Sequence, residues 1–406
     1  MKQPKLLLVT EYFWPDRAST GYLLSGLMAC LKKHYGHWII DALTSRRLYR
    51  GSSNKVLPKA EIWQGIRIKR LPSFRSGRDS MLRRAFSDLF FSIQAAIHVI
   101  TSDHDIIILV TNPPLMPLLV TLLSGIRRRR ILYIIHDLYP DVPIALGLWS
   151  KNNIFVRFIA KLQRFALQKA QRVIVLGRCM QEYLVNVYRI KPEKIEVIPN
   201  WATFSVEEQP PSYSERLKLG TTFNVVYSGN LGQFQDFHTI LEGAELLRSK
   251  PFVRFFIIGD GARTSWLHSE VSRRGLSNIT FHPFLDDIEF RQMLLEKTHL
   301  GLVTLEPNLE GLGVPSKTYN LLAMGVPLLA ILGPHSEIAK IIIEHQLGYR
   351  VDHGDAESLV RCILDAYNNS EKWAEMSRRA FAYSRNEAVL ERAAHQYAEI
   401  LKSAIP

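Results

Sequence analysis

The feature that most constrains this chain is a recurring unit. A short, mostly apolar run meets a loop of glycines or polar residues, and an amphipathic helix follows. Such runs occupy residues 5–10, 38–44, 106–111, 131–135, 172–176 and 195–199. They recur at 223–227, 253–258, 279–282, 299–305 and 328–332. A strand apolar on both faces belongs to a parallel sheet covered by helices on each side. Alternation with helical segments therefore predicts an α/β, doubly wound architecture. At 406 residues the chain is long enough for two or three such domains. Residues 200–218, with Gln209-Pro-Pro-Ser, read as the linker. The expected division is 1–203, 204–380, and a terminal helical segment 381–406.

Other classes are excluded in turn. Cys30, Cys179 and Cys362 lie too far apart for a disulfide framework or a metal spacing. The uncharged stretch 106–126 has the length of a membrane span, but Asn112-Pro113-Pro114 and Pro117 divide it. It reads as a strand over 106–111 and a helix over 116–125. The apolar run at the N-terminus is too short for a signal peptide. Residues 1–200 carry 31 Lys+Arg against 13 Asp+Glu, and the rest carries 20 against 25. A basic first half suits nucleic acid or an anionic membrane. No zinc, helix-turn-helix or aromatic-basic motif supports nucleic acid, so none is expected as a partner.

Much of that charge lies in 46–84, which reads as irregular and includes Arg75, Arg78, Arg83 and Arg84. The helix after it carries Leu82, Phe86, Leu89, Phe90, Ile93, Ile97 and Ile100 at helical spacing. This is either a surface helix at anionic lipid or a core helix of the first domain. The first strand runs into a loop from Glu11 to Gly21, with a helix expected from Tyr22. No GxGxxG follows it, so the dinucleotide fingerprint is absent. His136, at the carboxyl end of the strand over 131–135, sits where ligands bind. It could equally be a turn residue satisfied by nearby backbone. Asp103-His104-Asp105 precedes a strand and reads as a loop at the opposite edge.

In the second half, four strand ends should meet on one edge of one sheet: 228–232, 259–261, 283–284 and 306–317. Three carry glycines (Gly229, Gly259, Gly261, Gly313), which let backbone and ligand approach closely. The last opens the stretch Gly311-Leu-Gly-Val-Pro-Ser-Lys-Thr-Tyr-Asn320-Leu-Leu-Ala-Met-Gly325-Val-Pro. Pro315 and Ser316 mark a helix entry, and Gly325 and Pro327 stop it. Lys317 opposes the dipole at that entry and is well placed for an anion. Alone, the stretch is a phosphate site or a plain connector; the convergence of loops favours the former.

These motifs resemble the retaining sugar-nucleotide glycosyltransferases of family 4. The carriers are Phe13-Trp-Pro through Gly21, His136-Asp-Leu-Tyr-Pro, Ser228-Gly-Asn-Leu-Gly with Gln235-Asp, Gly259-Asp-Gly, and Pro315-Ser-Lys with Ala323-Met-Gly-Val-Pro. The resemblance covers nearly the whole chain. It implies a GT-B fold: two Rossmann-like domains facing a cleft, with a C-terminal helix crossing back to the first. It implies transfer of a hexosyl or N-acetylaminosugar group from a nucleotide sugar, UDP-linked, to a sugar acceptor, a lipid-linked intermediate of surface polysaccharide. His136 and Lys317 would be the catalytic residues. The donor would be held by Gly21, Gly229, Asn230, Gln235, Gly259, Gly261, Phe284, Glu310, Gly313, Pro315, Ser316 and Asn320. No metal or other cofactor is expected. A cytoplasmic protein, peripheral on the inner face of the plasma membrane through Arg75, Arg78, Arg83 and Arg84, would follow.

Three departures stand out. Where many family members carry an Arg and a Lys, this chain has Asn230 and Gln235. Where they carry two glutamates eight apart, it has Leu312 and Asn320, with Glu310 or Glu306 as substitutes. Lys317 must then take most of the phosphate charge, joined by an arginine from elsewhere. An epimerase or hydrolase of the same fold, or a non-catalytic nucleotide-sugar-binding assembly protein, are the alternatives.

Overall fold

Eleven residue runs are expected as strands, and each lies in one of two largely parallel sheets. The computed structural model describes residues 3–16, 19–48, 56–73, 81–124, 129–204, 210–218 and 222–404. Its chain forms two compact units, residues 1–200 with 390–406, and residues 201–389.

The first unit runs β1 (Lys5–Val9), α1 (Ser19–His34), β2 (Ile39–Ser45), β3 (Ala60–Trp63), β4 (Ile66–Leu71), α2 (Met81–Thr101), β5 (Ile106–Val110) and α3 (Met116–Ser124). It continues through β6 (Arg130–Ile135), α4 (Asp141–Ala145), α5 (Ile154–Lys169), β7 (Arg172–Val175), α6 (Arg178–Asn186) and β8 (Ile195–Val197). The strand order is β3-β4-β2-β1-β5-β6-β7-β8, parallel but for β3. The right-handed crossovers from β4 to β8 put α2, α3, α5 and α6 on one face. In agreement, α2 packs on α3 and α3 on α5.

The hairpin β3–β4 corrects the expectation of an irregular 46–84. Gln64 (φ 48°) and Gly65 (φ 77°) form its turn, the left-handed pair that a tight hairpin requires. Ile66, Ile68 and Arg70 point inward, while Arg67 and Lys69 point out. Basic outward positions hid a period-2 pattern. Arg75 and Arg78 lie outside the described residues, as do Gln209 and the side chain of Arg84. Among the described residues no helix is long and apolar enough to cross a membrane.

The second unit runs α7 (Tyr213–Lys218), β9 (Phe223–Asn230), α8 (Phe237–Leu246), β10 (Val253–Asp260), α9 (Thr264–Arg274), β11 (Ile279–His282), α10 (Asp287–Gln292) and β12 (Leu300–Thr304). Then come α11 (Lys317–Ala323), β13 (Leu328–Ile331), α12 (Glu337–His345), β14 (Gly348–Val351), α13 (Ala356–Asn368) and α14 (Ser370–Asn386). Its order, β11-β10-β9-β12-β13-β14, is wholly parallel. The sixth strand β14, and the helix α7 inside the expected linker, have no counterpart in the sequence reading. The last helix, α15 (Leu390–Ala404), belongs to the first unit and packs on α1, where Gly26 faces Leu390.

Candidate active site

In the second unit the strand order reverses between β9 and β12. A crevice opens where neighbouring connections leave toward opposite faces. The loops after β9, β10, β11 and β12 all leave the same edge, as expected. The glycines differ from expectation, because Gly229 and Asn230 continue β9, paired with Gly259 and Asp260 of β10. Gly229 and Gly259 have φ of 139° and 144°. A Cβ on Gly259 would stand 1.9 Å from the Gly229 carbonyl oxygen, and one on Gly261 would stand 2.4 Å from that of Leu231. Strand-to-strand contact therefore accounts for Gly259 and Gly261.

Lys317 is the first residue of α11, after a helical-angled Ser316 that gives no side-chain cap. Its side chain turns back across the sheet edge to β9. Nζ lies 3.6 Å from the centre of the Tyr227 ring and 3.5 Å from where a Cβ on Gly229 would be. The amine is closed to solvent and has no hydrogen-bond partner. Burial lowers its pKa to about 7. A second polar group, Oε1 of Glu310, is likewise buried without a partner. It fits only because residue 333 is glycine: a Cβ there would lie 1.7 Å from it. Thus two charged groups, one cationic and one acidic, are left unsatisfied at one sheet edge. Unpaired buried polar groups are costly, so such a pair points to a ligand.

The other expected donor residues are less free. The Gln235 amide oxygen accepts from the Gly232 N–H at 3.1 Å and closes the loop after β9. Asn320 Oδ1 accepts from Thr203 N at 2.8 Å and from Thr203 Oγ1 at 3.1 Å. Leu312 is buried, whereas Asn230 is exposed and Phe284 is 43 % exposed. Gly313, Pro315 and Ser316 are half-buried along the loop. Sequence reasoning asked for an arginine without naming it. Arg263, at the start of α9, brings Nη1 within 3.5 Å of the Gln235 carbonyl oxygen and 3.5 Å of Glu306 Oε1.

In the first unit His136 follows β6. Its backbone N–H donates to Thr111 Oγ1 at 3.2 Å, while the ring Nε2 is buried without a partner. Burial holds its pKa down to about 4, so the imidazole is neutral. Local structure thus satisfies the backbone N–H of His136 but not its ring Nε2. Gly21 lies within the first turn of α1 instead of before it, since the helix begins at Ser19. A Cβ there would meet Tyr12 Cβ at 3.1 Å. Asp103 and Asp105 bond Lys5, and His104 Nε2 meets Asp41 Oδ2 at 2.9 Å, all at the amino-terminal edge of the sheet. Among the described residues no group of three or more His, Cys, Asp and Glu could hold a metal ion.

Comparison with known families decides the class. Residues 48–203 match the profile of Glycosyltransferase Family 4, and residues 222–369 match that of Glycosyl transferases group 1. The chain belongs to these glycosyltransferases. It is 26% identical over 368 residues to "Probable glycosyltransferase WbjE" of Pseudomonas aeruginosa, covering 88% of each chain. It is 25% identical over 228 residues to "Putative colanic acid biosynthesis glycosyl transferase WcaI" of Escherichia coli K12, covering 54% of this chain and 55% of that one. Among solved structures, Anabaena HepE in complex with UDP superposes with a TM-score of 0.70 at 17% identity, over 98% of this chain and 100% of that one. That likeness carries the GT-B fold.

Within this glycosyltransferase the sequence located the sheet edge and Lys317. It missed Tyr227, Gly333, Thr203 and Arg263. Tyr227 carried one signal, an aromatic residue two places before a glycine at a strand end. The other three meet their partners across many residues of chain, and no local pattern announces them.

Proposed function

We propose that this glycosyltransferase is a retaining enzyme that moves a sugar from a UDP-sugar to a lipid-linked sugar acceptor of surface polysaccharide. The observation that carries the reading is the buried, unpartnered Lys317 amine at the switch point of the second sheet. A diphosphate there would give it the counter-charge it lacks. HepE was crystallised with UDP and with UDP-glucose, which supports that nucleotide. The colanic-acid assignment of WcaI supports the polysaccharide setting.

The chemistry asked of the site is modest. The bond from the sugar's anomeric carbon to the diphosphate oxygen breaks, and negative charge grows on the departing phosphate. A fixed cation in a water-poor setting stabilises that charge more than it stabilises the ground state. The acceptor oxygen bonds to the same carbon on the same face, and its proton passes to the departing phosphate. UDP and the lengthened acceptor are the products, so no protein nucleophile is needed. Glu310 accepts from a donor hydroxyl, and neutral His136 contacts the donor sugar near the reacting carbon. We place the enzyme in the cytoplasm, peripheral on the inner face of the plasma membrane.

The deciding experiment screens UDP-sugars by thermal shift, then assays transfer and reads product anomeric configuration by NMR. Stabilisation by UDP and retention of configuration are expected. Products formed equally without acceptor would support the epimerase or hydrolase reading. UDP binding without turnover on any pair would support the non-catalytic one. Gly333→Ala tests Glu310 in particular. The added methyl displaces the carboxylate, and the donor KM is expected to rise about tenfold while Tm moves little, the size of one lost charged hydrogen bond. An unchanged KM would remove Glu310 from the site.

A further inference from the structure

The helical layer of the first unit leaves apolar side chains in water on its outer side. On α2, Phe91, Ala95 and Val99 face the core, whereas Leu89, Ile93 and Ile97 are exposed. The face marked out in the sequence is therefore not the core face of this helix. The neighbouring corner, from the end of α4 into the first turn of α5, exposes Leu148 and Trp149. There Ile154, Phe155 and Phe158 are 76%, 74% and 59% exposed. The intervening helix α3 adds Leu122, and the three helices pack in sequence, α2 on α3 and α3 on α5. Isolated exposed apolar residues are ordinary, but a run of them across adjacent helices is not.

The surrounding charge selects the partner. Arg83, Lys151, Arg157, Lys161 and Arg164 are exposed around these residues. Across α2, α3 and α5 the sole acidic residue in the sequence is Asp88. Two copies meeting through this face would bring their basic rims together, at an electrostatic cost. An anionic lipid surface accepts both features, apolar side chains below the headgroups and cations at their level. Trp149 has the amphipathic ring that favours that interface. The corner also follows β6 on the carboxyl side, the end of the strand that carries His136.

We propose that the α4–α5 corner, with Trp149, Ile154, Phe155 and Phe158, is a wedge that inserts into an anionic bilayer beside the exposed face of α2. The wedge rests on the reading of a lipid-linked acceptor, which it would bring to the His136 edge of the first unit.

The test uses the full chain with sucrose-loaded vesicles of phosphatidylcholine, with and without 30% phosphatidylglycerol (about one anionic headgroup in three, a strongly charged surface). Co-sedimentation should require phosphatidylglycerol and weaken with salt. Phe155→Ser with Phe158→Ser should lower the bound fraction about tenfold or more, since two inserted rings lose their apolar burial. The melting temperature should not move. Lipid brominated on its chains should quench part of the fluorescence, and Trp149→Phe should remove that part. Unchanged binding of the double serine variant would overturn the proposal. So would no quenching through Trp149, or equal binding to neutral vesicles. A lipid-free dimer that the double variant dissolves would also overturn it and make the face an interface between copies. The assay needs neither donor nor acceptor, so failure of the transferase reading shows separately, as a missing thermal shift with UDP.

Discussion

Replacing Lys317 with methionine should lower kcat by ~10²–10³-fold, the loss seen when one fixed transition-state donor is removed, while making the ligand-free protein more stable. The two effects have one cause. The amine is buried against Tyr227 with no acceptor, and its pKa falls to about 7. An unfolded lysine keeps its usual higher value, so between those two pKa values the unfolded chain holds the extra proton. Stability contributed by this group therefore rises as pH climbs from about 7 toward the ordinary lysine range, and the penalty is complete below about 7. Lys317→Met should flatten that dependence and raise Tm at pH 6 more than at pH 9. Binding of UDP should do the reverse to the lysine, favouring its charged form. Calorimetry in two buffers of different ionisation enthalpy should show proton uptake on UDP binding near pH 8 in the wild type and less in the variant. A variant with full turnover, or with an unaltered stability–pH curve, would strip Lys317 of its role as the leaving-group cation. A site that is strained when empty and relieved by its ligand is the usual trade of stability for function.

What the sequence made legible depended on whether the signal was local. The two sheets were readable because Ile106–Val110 and Leu328–Ile331 are apolar throughout, and parallel strands covered on both faces must be. Once the strands are parallel, their carboxyl ends share an edge, so the meeting of the loops after β9, β10 and β12 followed from topology alone. The hairpin β3–β4 escaped because Arg67 and Lys69 fill the outward positions, and a run of basic residues resembles a solvated loop. The short edge strand β14, Gly-Tyr-Arg-Val, mixes polarity for the same reason, having one neighbour. The glycines show the opposite error. Gly259 is demanded by the Gly229 carbonyl rather than by a ligand, and only the register of β9 against β10 tells the two apart. Glu310 was a candidate on spacing, but its fitness depends on Gly333, 23 residues away.

Arg216 is the residue whose loss should most damage the fold. It lies on α7, within what the sequence presented as a linker, yet it is fully buried. Among the described residues no carboxylate pairs with it. Instead Nη1 donates to the carbonyls of Leu294 and Thr298 at 2.7 and 2.6 Å, Nη2 donates to Met324 at 2.7 Å, and Nε donates to Pro211 at 3.3 Å. Its guanidinium sits 5.5 Å from the Trp373 ring. Burial lowers its pKa to about 9, still high enough for the charge to persist at neutral pH. Because four main-chain acceptors from three separate segments converge on one fork, removing it strands them together. Each orphaned buried acceptor costs about 1–3 kcal/mol, offset in part by no longer burying a charge. Arg216→Leu is therefore expected to destabilise the second unit by ~3–5 kcal/mol, read as a lower denaturant midpoint with the slope unchanged. Lysine should not rescue it, since a single ammonium cannot reach segments that a planar fork bridges. The Met324 carbonyl lies at the end of α11 opposite Lys317, so a partly folded Arg216 variant should also bind UDP more weakly. A variant as stable as the wild type would mean that water satisfies those carbonyls, and the pin would have to be sought elsewhere in the unit.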